Sequence, residues 1–256
     1  GLMMAGLCLA AQASSFTPTQ QKILQELAPA NIVYLGEIHD RTADHQSQLA
    51  IIQHLHQKNP RLAIGLEMFQ KPYQGSIDRY LAGQITEAEL LEKTEYQKRW
   101  GFPWENYAPL FRFAKEHQLS VIALNAPTEI TRKVAKQGLA SLTPADFRYI
   151  PPIKDIDKSN ATYRQLIQES FNQHQHQAVA NSKGWERFYE TQLVWDETMA
   201  ATITEFYQQH PADRFIAIAG QAHIENGYGI PDRVARRLAS RKFVQKSVIL
   251  QQFTDK

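Results

Sequence analysis

The sequence predicts an α/β fold: an open, mainly parallel sheet with flanking helices, plus a smaller all-helical subdomain inserted between the third and fourth strands. Three observations carry this. Residues 31–66 read strand, helix, strand with short joints, a βαβ unit whose right-handed crossover leaves its two strands parallel. Further strands are read at 120–124 and 214–219, with a closing strand near 243–250. The roughly 90 residues between the runs at 120–124 and 214–219 show no period-2 alternation and are too many for a loop, so they are assigned to helices.

In chain order, residues 2–11 form an apolar run of signal-peptide length, followed by Ala11-Gln12-Ala13, an A-x-A cleavage pattern. Residues 1–13 therefore read as a signal-peptide remnant, with the mature chain starting near Ser14 in a periplasmic or other extracytoplasmic setting. Lipid anchoring through Cys8 is the competing reading. Leu7 is larger than the residue expected just before a lipidated cysteine, which favours cleavage. Thr17-Pro18 pairs an N-cap with an N1 proline and opens a helix ending at Leu27. Residues 31–36 form a buried strand closed by Gly36. Residues 42–56 place Leu49, Ile52, Leu55 and His56 on one helical face and stop before Asn59-Pro60. A second strand covers 61–66. Helical patterns broken at Gly83 and at residues 100–103 lead to the third strand.

The helical subdomain is placed at 128–210, leaving 14–127 and 211–256 for the sheet domain. Its longest element, 185–209, repeats apolar groups at Phe188, Trp195, Met199, Ile203 and Phe206, which reads as the core-facing stripe. Residues 172–184, rich in Gln, His and small residues, read either as a linker or as a ligand-gripping loop. A fourth strand at 214–219, a helix at 231–240 and a closing strand near 243–250 complete the chain.

Composition narrows the function. With 28 Lys and Arg against 26 Asp and Glu the net charge is +2, without the basic excess of a nucleic-acid surface. The single cysteine excludes an internal disulfide, a cysteine zinc site and thioether-linked haem. There is no G-x-S-x-G elbow, no HExxH pair and no phosphate-cradling glycine loop.

What remains is a short echo at the strand ends. Gly36-Glu37-Ile38-His39 follows the first strand and Gly220-Gln221-Ala222-His223 the fourth, while Glu67 ends the second and Asn125 the third. In an open parallel sheet these carboxyl ends share one rim, where ligands bind. Glu37, His39, Glu67 and His223 are accordingly candidate metal ligands or acid–base groups, the equipment of a metal-dependent hydrolase holding a divalent ion. Read alone, each histidine or glutamate here also serves as an ordinary cap or turn residue. The helical insertion adds Tyr149, Tyr163, Tyr189, His174, His176 and Lys183. Tyr189 sits beside an apolar helix face and reads as core, whereas Tyr163 lies among polar neighbours that packing explains least.

Five ordered segments carry a family resemblance: 31–40 (NIVYLGEIHD), 65–69 (GLEMF), 123–127 (ALNAP), 193–200 (LVWDETMA) and 219–231 (AGQAHIENGYGIP). Together they resemble the ChaN-like haem-binding uptake family. That resemblance implies an extracytoplasmic haem-binding protein of iron uptake, with haem held as a cofacial pair at a homodimer interface and received from an outer-membrane receptor. A tyrosine of one subunit would ligate each iron, and a histidine and a lysine of the other would hold the propionates. Tyr163 is the first choice for iron, followed by Tyr149 and Tyr189, with His174 or His176 and Lys183 on the propionates. The same family is distantly similar to Tiki-type metalloproteases and erythromycin-esterase-like proteins, which carry the hydrolase alternative.

Overall fold

The structure, a computed structural model, describes residues 15–174 and 182–255. Residues 1–13, expected from sequence to be a signal remnant and including Cys8, lie outside the described residues, as do His176 and the side chain of His174. Five strands run β1 (Ile32–Glu37), β2 (Leu62–Gln70), β3 (Ser120–Asn125), β4 (Arg214–Gly220) and β5 (Gln245–Ile249). Eleven α-helices of the described residues are α1 (Pro18–Leu27), α2 (Thr42–Lys58), α3 (Gln74–Leu81), α4 (Glu87–Lys93), α5 (Tyr96–Arg99), α6 (Ala108–Glu116), α7 (Thr128–Gln137), α8 (Ala161–His174), α9 (Ser182–Gln209), α10 (Ile230–Arg237) and α11 (Leu250–Thr254).

All five strands are parallel, in the order β3-β2-β4-β1-β5. β1 and β2 are thus near neighbours with β4 between them. The pleat sends alternate side chains to opposite faces. Val33 and Leu35 face a core built with α1, α2, α3, α6 and α11, while Ile32 and Tyr34 face one built with α9 and α10. The first helix opens as its sequence predicts, with Thr17 and Gln20 exchanging side-chain and backbone hydrogen bonds in a capping box.

The helical insertion forms a third core from Val134, Leu139, Ile150, Ile156, Tyr163, Phe171, Trp185, Tyr189, Leu193 and Val194. α9 serves two masters: its first half packs in this third core, while Met199, Ala200, Ile203 and Tyr207 pack against the sheet.

Three sequence-based expectations shift. β2 continues past Leu66 to Gln70 through a register irregularity, so Glu67 lies within the strand and not at its end. The buried face of α9 is wider than the expected stripe: Met199 and Ile203 are buried as expected, Tyr189, Leu193, Asp196, Ala200 and Tyr207 are buried as well, and Phe188, Trp195 and Phe206 are only partly covered. A helix clasped by two cores buries a wider arc than its largest apolar side chains mark. Tyr163, polar-flanked in sequence, is 2% exposed, because its neighbours in space are Tyr189 and the Arg233 guanidinium, 4.1 Å over its ring.

Candidate functional site

Parallel pairing delivers the distant motifs to one rim. Glu37 closes β1 directly beside Gly220 at the end of β4, and Glu67 stands one residue beyond the Leu66–Ile218 pair. There the ladder leaves the Gly220 N–H free of a strand partner, and Glu67 Oε2 accepts it at 2.7 Å. Glycine at 220 lets the strand end approach the histidine closely: a Cβ there would lie 3.0 Å from Cε1 and 3.1 Å from Nε2 of His39, so the imidazole would have to give way, and 3.7 Å from Glu67 Oε2. The imidazole, the carboxylate and the backbone therefore meet at one point.

Each histidine is oriented by a carboxylate through Nδ1. His39 Nδ1 lies 3.0 Å from Glu37 Oε2, and His223 Nδ1 lies 2.6 Å from Asp196 Oδ1. The arrangement leaves Nε2 of His223 on the side of Glu67, 3.5 Å from Oε1, while Nε2 of His39 packs against Gly220. The buried Glu37 is held further by the Tyr107 hydroxyl, donating at 2.6 Å, and by the Gln48 amide at 2.8 Å. His45 bridges back to the His39 carbonyl at 2.8 Å. The N-terminal end of α2 thus buries polar groups, Asp44, His45 and Gln48, where it meets the rim, and turns apolar beyond it.

Charge follows from this geometry. Burial pushes the Glu67 carboxyl up, but His223 and His39 with the Gly220 N–H outweigh it and hold it below the usual carboxylate range. Burial pushes His223 down, but Glu67 and Asp196 overcome that and hold its imidazolium well above the ordinary histidine value. His39 is likewise raised: burial works against the charge, and Glu37 and Glu67 prevail.

Two cavities open on the rim, with His223 in the wall of both. One, about 240 Å³, is lined by Glu67, Asn125, Trp100, Trp195 and Arg99 among others. The other, about 390 Å³, lies between α8, the first half of α9 and the turns at 221–229, and is walled by Leu166, Ile167, Phe188, Tyr163 and Tyr228.

The structure brings together the four strand-end residues expected from sequence, Glu37, His39, Glu67 and His223, with Asn125 at the same edge. Among the described residues, no group of three or more His, Cys, Asp or Glu is disposed to hold a metal ion. Glu37 is engaged by Tyr107, Gln48 and His39, and Glu67 by the Gly220 N–H.

The tyrosines separate. Tyr163 lines the larger cavity, but its hydroxyl donates to Asp196 Oδ2 at 2.6 Å, and burial together with that carboxylate raises its phenol well above the usual range. Tyr189 is buried and donates to the Lys158 carbonyl at 3.1 Å. Tyr149 is half-buried under Arg148 and lines neither rim cavity. Lys183 is exposed at the start of α9.

Sequence reasoning missed Asp196, Tyr107, Gln48, His45 and Tyr228. Asp196 had one readable signal: it is a charge on the same helical face as Leu193, Ala200 and Ile203. The others come from helices and turns whose approach to the rim is purely tertiary.

Fold and rim define a three-layer parallel α/β protein with a helical insertion and two histidine–carboxylate pairs at its strand ends. The chain belongs to the family described as haem-binding uptake, Tiki superfamily, ChaN, which it matches over residues 23–234. In solved structures it is similar to ChaN of Campylobacter jejuni, described for its cofacial haem binding, with a TM-score of 0.70 at 19% identity over 90% of this chain and 84% of that one. A weaker likeness links it to an erythromycin esterase mutant in its open conformation, with a TM-score of 0.51 at 15% identity over 93% and 74% of the two chains. At these identities the likeness is one of fold. The chain is also 23% identical over 234 residues to Protein RETICULATA-RELATED 5, chloroplastic, of Arabidopsis thaliana, covering 87% of this chain and 31% of that protein. It therefore spans about a third of that relative's length.

Proposed function

We propose that this protein binds haem in the cleft between α8, α9 and the 221–229 turns, and serves haem or iron uptake outside the cytoplasm. Membership of the haem-binding family supports the ligand, and one observation carries the location: two phenols and three large apolar side chains line one cavity of about 390 Å³, alongside polar residues that include Glu169, Asp196 and Glu225. The donor set fits the group. Leu166, Ile167 and Phe188 offer apolar contact to a planar macrocycle, and a tyrosine oxygen is an established ligand for its ferric iron. Tyr228 is the better placed phenol: it is half-buried in the cavity wall, and its hydroxyl meets no carboxylate among the described residues. Tyr163 is committed to Asp196 and contributes wall and hydrogen bonding.

The extracytoplasmic location rests on the pattern of residues 2–13. Pairing of two copies around haem, and delivery by an outer-membrane receptor, belong to the same proposal; assembly would then be linked to ligand. Titrating haemin into protein starting at Ser14 should shift the Soret band stoichiometrically and raise the sedimentation coefficient. A flat titration at micromolar haemin rejects the reading. Tyr228→Phe should weaken binding by about tenfold or more, and Tyr163→Phe by less, as expected for loss of a direct ligand against loss of a neighbour.

A further inference from the structure

A cleft rich in cationic side chains lies away from the rim, between the turn at 153–159 and the end of α10. It encloses about 690 Å³ and shares no lining residue with either rim cavity. Lys154, Lys158, Arg236 and Arg237 line it, against the carboxylates of Asp155 and Asp157.

Behind it stands Glu197, fully buried, a single carboxylate facing three guanidiniums. Arg236 grips it through two nitrogens at 2.8 and 2.6 Å, Arg237 through one at 2.7 Å, and Arg233 Nε lies 3.0 Å away. Two of the cations have further partners: Lys158 Nζ lies 3.2 Å from Glu190 Oε2, and Arg236 Nη1 lies 3.5 Å from Asp157 Oδ2. Asp157 Oδ1 takes the Ser159 N–H at 2.8 Å and its hydroxyl at 2.6 Å, and the Asp155 carbonyl takes both Arg236 and Arg237 at 3.2 Å. Arg237 Nε is buried with no hydrogen-bond partner, and Lys154 Nζ has no ion-pair partner among the described residues.

In and behind the cleft five cations, Lys154, Lys158, Arg233, Arg236 and Arg237, face four carboxylates, Asp155, Asp157, Glu190 and Glu197, so one positive charge is left over. Guanidiniums fixed by a buried carboxylate present their remaining N–H groups in a set geometry, so a ligand need not order them. We propose that this cleft is a binding site for a small oxyanion, a phosphate or carboxylate group, clamped by Arg236, Arg237 and Lys154.

The test uses inorganic phosphate and succinate, each titrated at constant ionic strength against a chloride control, with amide chemical shifts as the readout. At least one of the two should produce saturable shifts at 154–159 and 236–237, with a midpoint below about 10 mM. The two arms distinguish phosphate from carboxylate as the recognised group. Lys154→Glu, which leaves the buried Glu197 cluster intact, should raise the midpoint by about tenfold, while Lys154→Arg should retain it. Shifts matched by chloride, shifts that do not saturate, shifts elsewhere on the surface, or a midpoint indifferent to Lys154→Glu each overturn the site. Since haem plays no part in the measurement, its outcome is independent of the haem reading.

Discussion

His223 carries two jobs at once, since it closes the wall of both rim cavities and neutralises two buried carboxylates, Glu67 at 3.5 Å and Asp196 at 2.6 Å. Its raised pKa means that this stabilisation is complete below the ordinary histidine value and is lost as pH climbs through the raised one. The lowered Glu67 works in the opposite direction: its contribution is present above the ordinary glutamate value and lost as pH falls through the lowered one. His223→Gln should therefore cost about 3 kcal/mol near pH 6, the scale of a broken buried ion pair, and progressively less in alkali. Urea denaturation at both pH values checks this, and an equal loss at both would contradict charge pairing. Glu37, His39, Glu67 and His223 were legible in the sequence because a parallel sheet sends all its strand ends to one side. Asp196 was not, because nothing in a helical repeat says which charged residue will be turned inward by a second core.

Among the elements, β3 shows how an edge strand is managed. It borders the sheet, and its outer backbone is met by a side chain: Gln74, opening α3, donates to the Val121 carbonyl at 2.8 Å and accepts from the Ala123 N–H at 2.7 Å. One amide thus imitates a strand and blunts an edge that would otherwise template association. Gln74→Ala should cost about 1–3 kcal/mol and promote self-association, by urea denaturation and light scattering. Unchanged values in both would show that the edge needs no cover. Strands β1 to β4 were readable because each contains a short apolar run beside a turn residue, whereas β5 is half polar, Gln-Lys-Ser-Val-Ile. The extension of β2 to Gln70 was not readable, since Glu67 and Gln70 break the apolar pattern and are buried by hydrogen bonds to Gly220 and the Thr128 N–H.

Over the whole molecule, the helical insertion and the sheet are joined by α9, whose 28 residues run through both cores. A substitution in its sheet-facing half should accordingly be felt in the insertion. Ile203→Ala removes a fully buried side chain and should cost about 2–5 kcal/mol, with far-ultraviolet circular dichroism and tryptophan fluorescence still unfolding together. Two separate transitions would show the insertion to be an independent unit. The insertion itself was visible as a long stretch without strand patterning. Its sharing of a helix with the sheet was hidden, because both halves of α9 carry the same kind of amphipathic repeat.

The central position of β4 has a consequence in time. The strand that joins β1 to β2 begins 144 residues after β2 ends. At synthesis rates of roughly 5–20 residues per second, a nascent chain waits about 7–30 s with both inner edges of the sheet open before their shared neighbour exists. The sheet is completed only late, by contacts among the longest in the chain, and whatever guards the polypeptide during that interval matters more to its yield than any single packing energy in the finished fold.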